Sequence, residues 1–422
     1  MTVNGLRTST RARSPGAACP DDFRDTIQDV VMRVLVDYRP ALRARTGVGE
    51  WTHQLILSLL RLKSAGDPLA RDVDLTLWTA SWRDRPDPAA LAELAGATVI
   101  DRQIPVRPLT WAWNRLRWPS VESLTRRSFD VVHSTAPLLL PNRSGLRVCT
   151  IYDLDFLDHP ERAWGEMQRD FPRLVRDHAA RADLVVTISE HSRRQIQARL
   201  GVASDRIVVC RPGVPAWVSE ARVTPESGSG GYILFVGTLE PRKNIQGLLA
   251  AYRVLVERDP AAPRLVLAGR VTPAAAPWIA ESRSGPLSGR VEIAGYVPDG
   301  QRTALYAGAR LLVLPSFEEG FGLPVLEAMA LGVPVVASAR GALPEVVGGS
   351  GVLVDPSDVA ELSRAIESVV TDAGTAARMR VNGLQRAREF DWLASARILL
   401  GAYGRAAARA DAGASPAEGP SS

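Results

Sequence analysis

The chain has 422 residues, 46% of them hydrophobic and 23% charged, which is too long for one ordinary core and suits two domains. Its net charge of +5 is small and interspersed with acids, so nucleic acid is not an expected partner. No apolar run reaches the ~18–20 residues that span a bilayer, and Arg7, Arg11 and Arg13 are followed by polar and acidic residues rather than a secretory apolar core.

Residues 1–29 mix Arg, Ser, Pro and Asp without apolar periodicity and read as a disordered arm. A valine-rich strand is expected at Val30–Val36, then a loop and an amphipathic helix from Trp51 to Leu62. Short β-branched runs follow at Leu75–Thr79, Asp130–His133, Arg147–Tyr152, Leu184–Ile188 and Arg206–Cys210, with helical stretches between them. The Gly/Ser-rich stretch Thr224–Gly231 reads as a linker. Beyond it, strands are expected at Tyr232–Val236, Arg264–Ala268, Val291–Ala294, Leu311–Leu314, Val333–Ala337 and Gly351–Val354, again alternating with helices. Such alternation signals parallel sheets covered on both faces. The fold class is therefore α/β with two similar halves: a domain over 30–222, a linker over 223–231 and a second domain over 232–390. A final helix over 391–409 is expected to return to the first domain, before a disordered tail over 410–422. Two such halves place a ligand cleft between them.

Three cysteines, Cys19, Cys149 and Cys210, lack metal-ligand spacing and suit a reduced, cytoplasmic setting. None of the five histidines forms a metal set, and His133 and His191 read as strand-end structural residues. The charge excess lies wholly in residues 1–230, with 32 basic against 27 acidic residues, which favours an anionic acceptor or lipid surface near the first half. Trp111, Trp113 and Trp118 interleave with arginines. That pattern suits a membrane surface holding a lipid-linked acceptor, but a helix packing its tryptophans on the first domain is the favoured reading.

The strongest chemistry lies in LLVLPSFEEGFGLPVLEAMALGVPVVAS, Leu311–Ser338. A buried strand ends at Pro315, and the loop behind it carries Glu318, Glu319 and Gly320 to a helix that Pro324 opens and Gly332 and Pro334 close. Amides near Phe321, Gly322 and Leu323 would then receive an anion such as diphosphate, and Gly320 and Gly322 let backbone approach closely. Glu319 and Glu327, with seven residues between them, can face one cleft, where a carboxylate accepts hydrogen bonds from paired hydroxyls. A second segment, VGTLEPRKN, delivers Arg242 and Lys243 from a strand to a helix start, where cations would neutralise a leaving diphosphate. Only Lys63 and Lys243 among 51 basic residues are lysines, so a lysine here hints at a compact point charge.

EGFGLPVLEAMALGVPVVAS resembles, in order and spacing, the donor signature of family 4 glycosyltransferases, which have two Rossmann-like domains facing across a cleft (the GT-B fold). The resemblance implies that Glu319 contacts the transferred sugar, Glu327 the donor ribose, and Lys243 with a nearby arginine the donor phosphates. Many relatives carry that arginine directly after the strand's glycine, where this chain has Thr238. RTGVGEW, Arg45–Trp51, resembles the family's glycine-rich loop, with Gly47 and Gly49 near the phosphates. Asp153-Leu154-Asp155 mimics the metal-binding DxD of the other glycosyltransferase fold, which the two-domain pattern argues against. Where relatives have His-Asp this chain has Tyr152-Asp153, and tyrosine keeps a hydrogen-bond donor without the charge.

The implied reaction is retaining and metal-independent. It moves a hexose from a nucleoside-diphosphate sugar, a substrate rather than a cofactor, to a hydroxyl of a glycan or lipid-linked acceptor. GTLEPRKN and PVLEAMALGVPVVAS look most like bacterial mannosyl- and rhamnosyl-transferases of surface polysaccharide synthesis, acting in the cytoplasm or at the inner membrane face. The rival expectations are a donor-binding scaffold with a decayed acceptor side and a sugar-nucleotide epimerase of the same architecture.

Overall fold

A computed structural model describes residues 31–42, 47–159, 170–219 and 231–414. The expected arm, nearly all of the expected linker and the end of the expected tail lie outside these residues. The first sheet is parallel throughout and contains β1 (Met32–Asp37), β2 (Val73–Ala80), β3 (Thr98–Arg102), β4 (Val131–Ser134), β5 (Leu146–Thr150), β6 (Leu184–Thr187) and β7 (Ile207–Val209) in the order 3-2-1-4-5-6-7. The second, also parallel, contains β8 (Tyr232–Val236), β9 (Leu265–Ala268), β10 (Val291–Gly295), β11 (Ala309–Leu314), β12 (Val335–Ser338) and β13 (Val352–Val354) in the order 10-9-8-11-12-13.

Helices cover both faces of each sheet, so the central strands are apolar on both sides: Val34, Leu35 and Val36 of β1 and Ile233, Leu234 and Phe235 of β8 are buried. In each sheet the strand order reverses beside the first strand, between β1 and β4 and between β8 and β11. The connections there leave toward opposite faces, and the crevice that opens at the strands' carboxyl ends is where such sheets bind ligands.

Three expectations change. β3 is a strand that the sequence pattern did not announce; it is an edge strand with exposed ends, so it lacks the apolar run of a central one. Trp111 and Trp113 lie on the helix Val106–Arg115. Two positions apart on a helix they point to opposite sides, so Trp113 is buried against Trp78 at 6.5 Å while Trp111 and, beyond the helix, Trp118 are exposed. The final helix runs Trp392–Ala414, so residues 410–414 are helical and not tail.

That last helix packs against the first-domain helix Val48–Ser64 and against β6 and β7. Tyr403 bonds His133 Nδ1 at 2.7 Å, while Thr150 Oγ1 lies 2.8 Å from Nε2. Burial pushes the His133 imidazole down to about 3, so the fold takes it neutral while the unfolded chain protonates it below its ordinary value of 6.5. Stability from this group is therefore complete above that value and declines as pH falls toward 3. Unfolding free energies measured between pH 7 and 5 should fall by roughly 1 kcal/mol per pH unit at the acid end, and less steeply in His133→Asn.

Candidate active site in the interdomain cleft

A cleft of about 610 Å³ lies between the carboxyl ends of the two sheets. Its lining includes Gly47, Tyr152 and Asp153 from the first domain, and Thr238, Arg242, Lys243, Glu319, Gly320, Phe321, Gly322, Leu323 and Glu327 from the second. Of the expected site residues only Gly49 is not among them. A Cβ at Gly49 would meet the Pro40 carbonyl oxygen at 2.8 Å, so this glycine lets the helix Val48–Ser64 pack closely on the segment before it. Gly47 is different: it caps that helix with a left-handed φ of 54° and faces open space. The loop residues 43–46 lie outside the described set.

The chain after β8 turns through Pro241–Lys243 into the helix Ile245–Arg258, whose cap Asn244 takes a left-handed φ of 55° and accepts the Gly247 amide at 3.2 Å. This turn aims Lys243 inward. Its Nζ lies 2.5 Å from Glu319 Oε1, and Ser316 Oγ donates to the same oxygen at 2.7 Å. Arg242 Nη1 bonds the Glu318 carbonyl at 3.0 Å and approaches Glu319 Oε2 at 3.5 Å, while Nη2 pairs with Glu240 at 3.1 Å. Burial pushes the Glu319 carboxyl up, but Lys243, Arg242 and the bond from Ser316 outweigh it and hold the group below its ordinary value. Glu319 is thus a fixed, ionised carboxylate with two cations beside it.

Directly after Glu319, a Cβ on Gly320 would stand 2.8 Å from the Tyr152 carbonyl oxygen and 3.2 Å from Asp153 Cβ. The domains approach here within backbone contact, which is why a side chain is excluded. Burial raises the Asp153 carboxyl, against the opposing charge of Arg242. The Tyr152 hydroxyl donates to the Thr135 carbonyl at 3.0 Å, and its ring meets Trp51 edge-on at 5.4 Å. The hydrogen-bond donor that tyrosine keeps at this position is engaged by the first domain's own backbone. Nearby, His191 Nε2 lies 2.8 Å from Glu318 Oε1, and the Glu190 amide donates to Glu345 at 3.1 Å. His191 thus bridges the domains, beyond the strand-end structural place read for it.

At the cleft's other end the helix Leu323–Ala330 begins at Gly322, with a left-handed φ of 103°. The Val325 and Leu326 amides bond the Gly322 carbonyl at 2.9 and 3.3 Å, and the Gly322 and Leu323 amides ahead of them stand at the helix's positive end. Glu327 is buried, taking Arg302 Nη2 at 2.6 Å on one oxygen and the Tyr306 hydroxyl at 2.5 Å on the other. Sequence reasoning missed Arg302 and Tyr306. The available signal was their spacing of four on the helix Asp299–Ala307, which puts both on one face. Among the described residues no group of three His, Cys, Asp or Glu side chains could hold a metal, and no helix is long and apolar enough to cross a membrane.

Comparison with known proteins matches this geometry to a family. The description Glycosyltransferase Family 4 matches residues 68–216, and Glycosyl transferases group 1 matches residues 220–386. The O-antigen chain mannosyltransferase B of Escherichia coli is 35% identical over 296 residues, spanning 68% of this chain and 77% of that protein. Sucrose-phosphate synthase from Thermosynechococcus elongatus superposes with a TM-score of 0.67 at 21% identity, over 91% of this chain and all of that one. The Anabaena protein HepE, solved with UDP and glucose, superposes at 0.61 with 18% identity, over 89% of this chain and all of that one. With these matches across both halves, the chain belongs to the family 4 glycosyltransferases and is a hexosyltransferase of the GT-B fold.

Proposed function

We propose that the chain transfers a mannose-type hexose from a nucleoside-diphosphate sugar to a hydroxyl of a growing surface polysaccharide or its lipid-linked precursor, with retention and without a metal. The observation that carries this is the pairing of Lys243 and Arg242 with Glu319, facing the open start of the helix Leu323–Ala330. The bond from the sugar's C1 to the diphosphate breaks while the acceptor oxygen bonds C1 from the same face. The acceptor's proton passes to the departing phosphate. Lys243, Arg242 and the helix amides offset the negative charge that develops on that phosphate. Glu319 touches the sugar's hydroxyls, and Glu327 takes those of the ribose. The mannose-type donor and the polysaccharide acceptor rest on the likeness to the Escherichia coli mannosyltransferase.

GDP-, UDP- and dTDP-sugars compared by thermal shift in the presence of chelator should give one donor class whose Tm rise grows with concentration. NMR of the product should then show the donor's anomeric configuration retained. Inversion, or a strict metal requirement, would overturn the mechanism. Binding without transfer to any acceptor would favour the scaffold reading, and an isomerised nucleotide sugar the epimerase.

For the acceptor side, the exposed Trp111, Leu116 and Trp118 beside the exposed Arg107 support docking on an anionic lipid surface. Sedimentation with anionic vesicles should drop severalfold in Trp111→Ala/Trp118→Ala. Equal sedimentation of both proteins would remove the membrane from the proposal.

A further inference from the structure

Trp217 lies on the short helix Ala216–Ser219, at the end of the first domain where the chain crosses to the second. The return crossing touches the same place: a Cβ on Gly213 would stand 2.5 Å from the Trp392 amide nitrogen, and Val214 N donates to Phe390 O at 3.3 Å. From this crossing Trp217 reaches into the second domain. Its ring stacks on Tyr306 at 6.0 Å and 29°, and the Arg302 guanidinium lies 4.9 Å over its face. Arg302 and Tyr306 are the two residues that grip the Glu327 oxygens. One aromatic side chain from the crossing thus backs both groups that hold Glu327.

We infer that Trp217 and Arg302 are positioning residues for the donor nucleoside, coupling the set of the Glu327 carboxylate to the seating of the interdomain crossing. This rests on the donor reading of the cleft and adds two residues to it. A carboxylate that must meet two vicinal hydroxyls works only at a fixed angle. Tyr306 fixes one oxygen, and Arg302, pinned flat by the ring beneath it, fixes the other. An Arg side chain loses rotamer freedom when ordered, and the cation–π contact offsets part of that cost. Without the tryptophan, Arg302 retains its charge but not its direction. The phosphate end, at Lys243 and Glu319, has separate supports and does not depend on Trp217.

The test uses the full chain and compares three probes, GDP, UDP and inorganic diphosphate, by calorimetry or as inhibitors of transfer. Trp217→Ala and Arg302→Leu should weaken whichever nucleotide the wild type binds by about five- to thirtyfold. Inhibition by inorganic diphosphate should stay within about twofold, and Trp217→Phe should recover most of the loss. A uniform loss for nucleotide and diphosphate alike would mark general damage to the fold and overturn the proposal, as would unchanged nucleotide affinity. If the wild type itself binds neither GDP nor UDP, the ribose reading of Glu327 falls, a result distinct from unaltered variants of a binding protein.

Discussion

Replacing Lys243 with alanine should lower kcat by about 10²–10³-fold while donor affinity changes only severalfold, a size typical of one lost donor to a developing anion. The ammonium sits in a buried pair with Glu319 at 2.5 Å, close to where diphosphate would leave. Its charge is worth more as the bond to the sugar breaks than in the bound ground state, so the loss falls on turnover. Removing it also strips Glu319 of its closest cation. Burial then has less opposing it, and the carboxyl now held below its ordinary value should rise. A carboxylate with a depressed value remains ionised until pH falls through that value, so the wild-type acid limb should lie low. In Lys243→Ala the limb should move to higher pH, by an amount measurable in kcat against pH. A variant with normal turnover would remove Lys243 from the chemistry, and one with reduced turnover but an unmoved acid limb would separate Lys243 from Glu319.

Much of this architecture was legible because parallel α/β sheets write themselves as apolar runs. The apolar runs at Val34–Val36 and Ile233–Phe235 lie in central strands buried on both faces. β3 escaped because it reads Thr-Val-Ile-Asp-Arg, with exposed polar ends and only two apolar residues between them. The loop geometry around Glu319 was legible for a local reason: strand, Glu319, two glycines and a helix start follow one another along the chain, so spacing alone puts them together. Arg302 and Tyr306 were not legible because their purpose lies across the fold, 25 and 21 residues from Glu327, and Trp217 is farther still. Gly49 misled because a glycine reserved for helix packing and one reserved for a ligand look alike in a motif; only the Pro40 carbonyl distinguishes them. The direction of the Tyr152 hydroxyl was not legible, because it depends on Thr135 in another strand's loop.

Replacing Glu327 with alanine should raise the donor dissociation constant by about 10²-fold or more, since two hydrogen bonds to a charged group are each worth roughly 1.5–3 kcal/mol. The side chain is buried and its oxygens are already oriented by Arg302 and Tyr306, so little reorganisation is left for binding. The deletion also leaves the Arg302 charge, only 16% exposed on its side chain, without its carboxylate, and some loss of Tm should accompany the loss of binding. The two effects separate by ligand. Inorganic diphosphate, which has no ribose, should inhibit Glu327→Ala almost as well as wild type. A carboxylate that takes both ribose hydroxyls also penalises a sugar lacking one of them. The wild type should therefore prefer ribonucleotides over dTDP, and the variant should lose most of that preference because the group that reads the missing hydroxyl is gone. Unchanged donor affinity in Glu327→Ala would detach this carboxylate from the ribose and with it the assignment of the nucleoside end of the cleft.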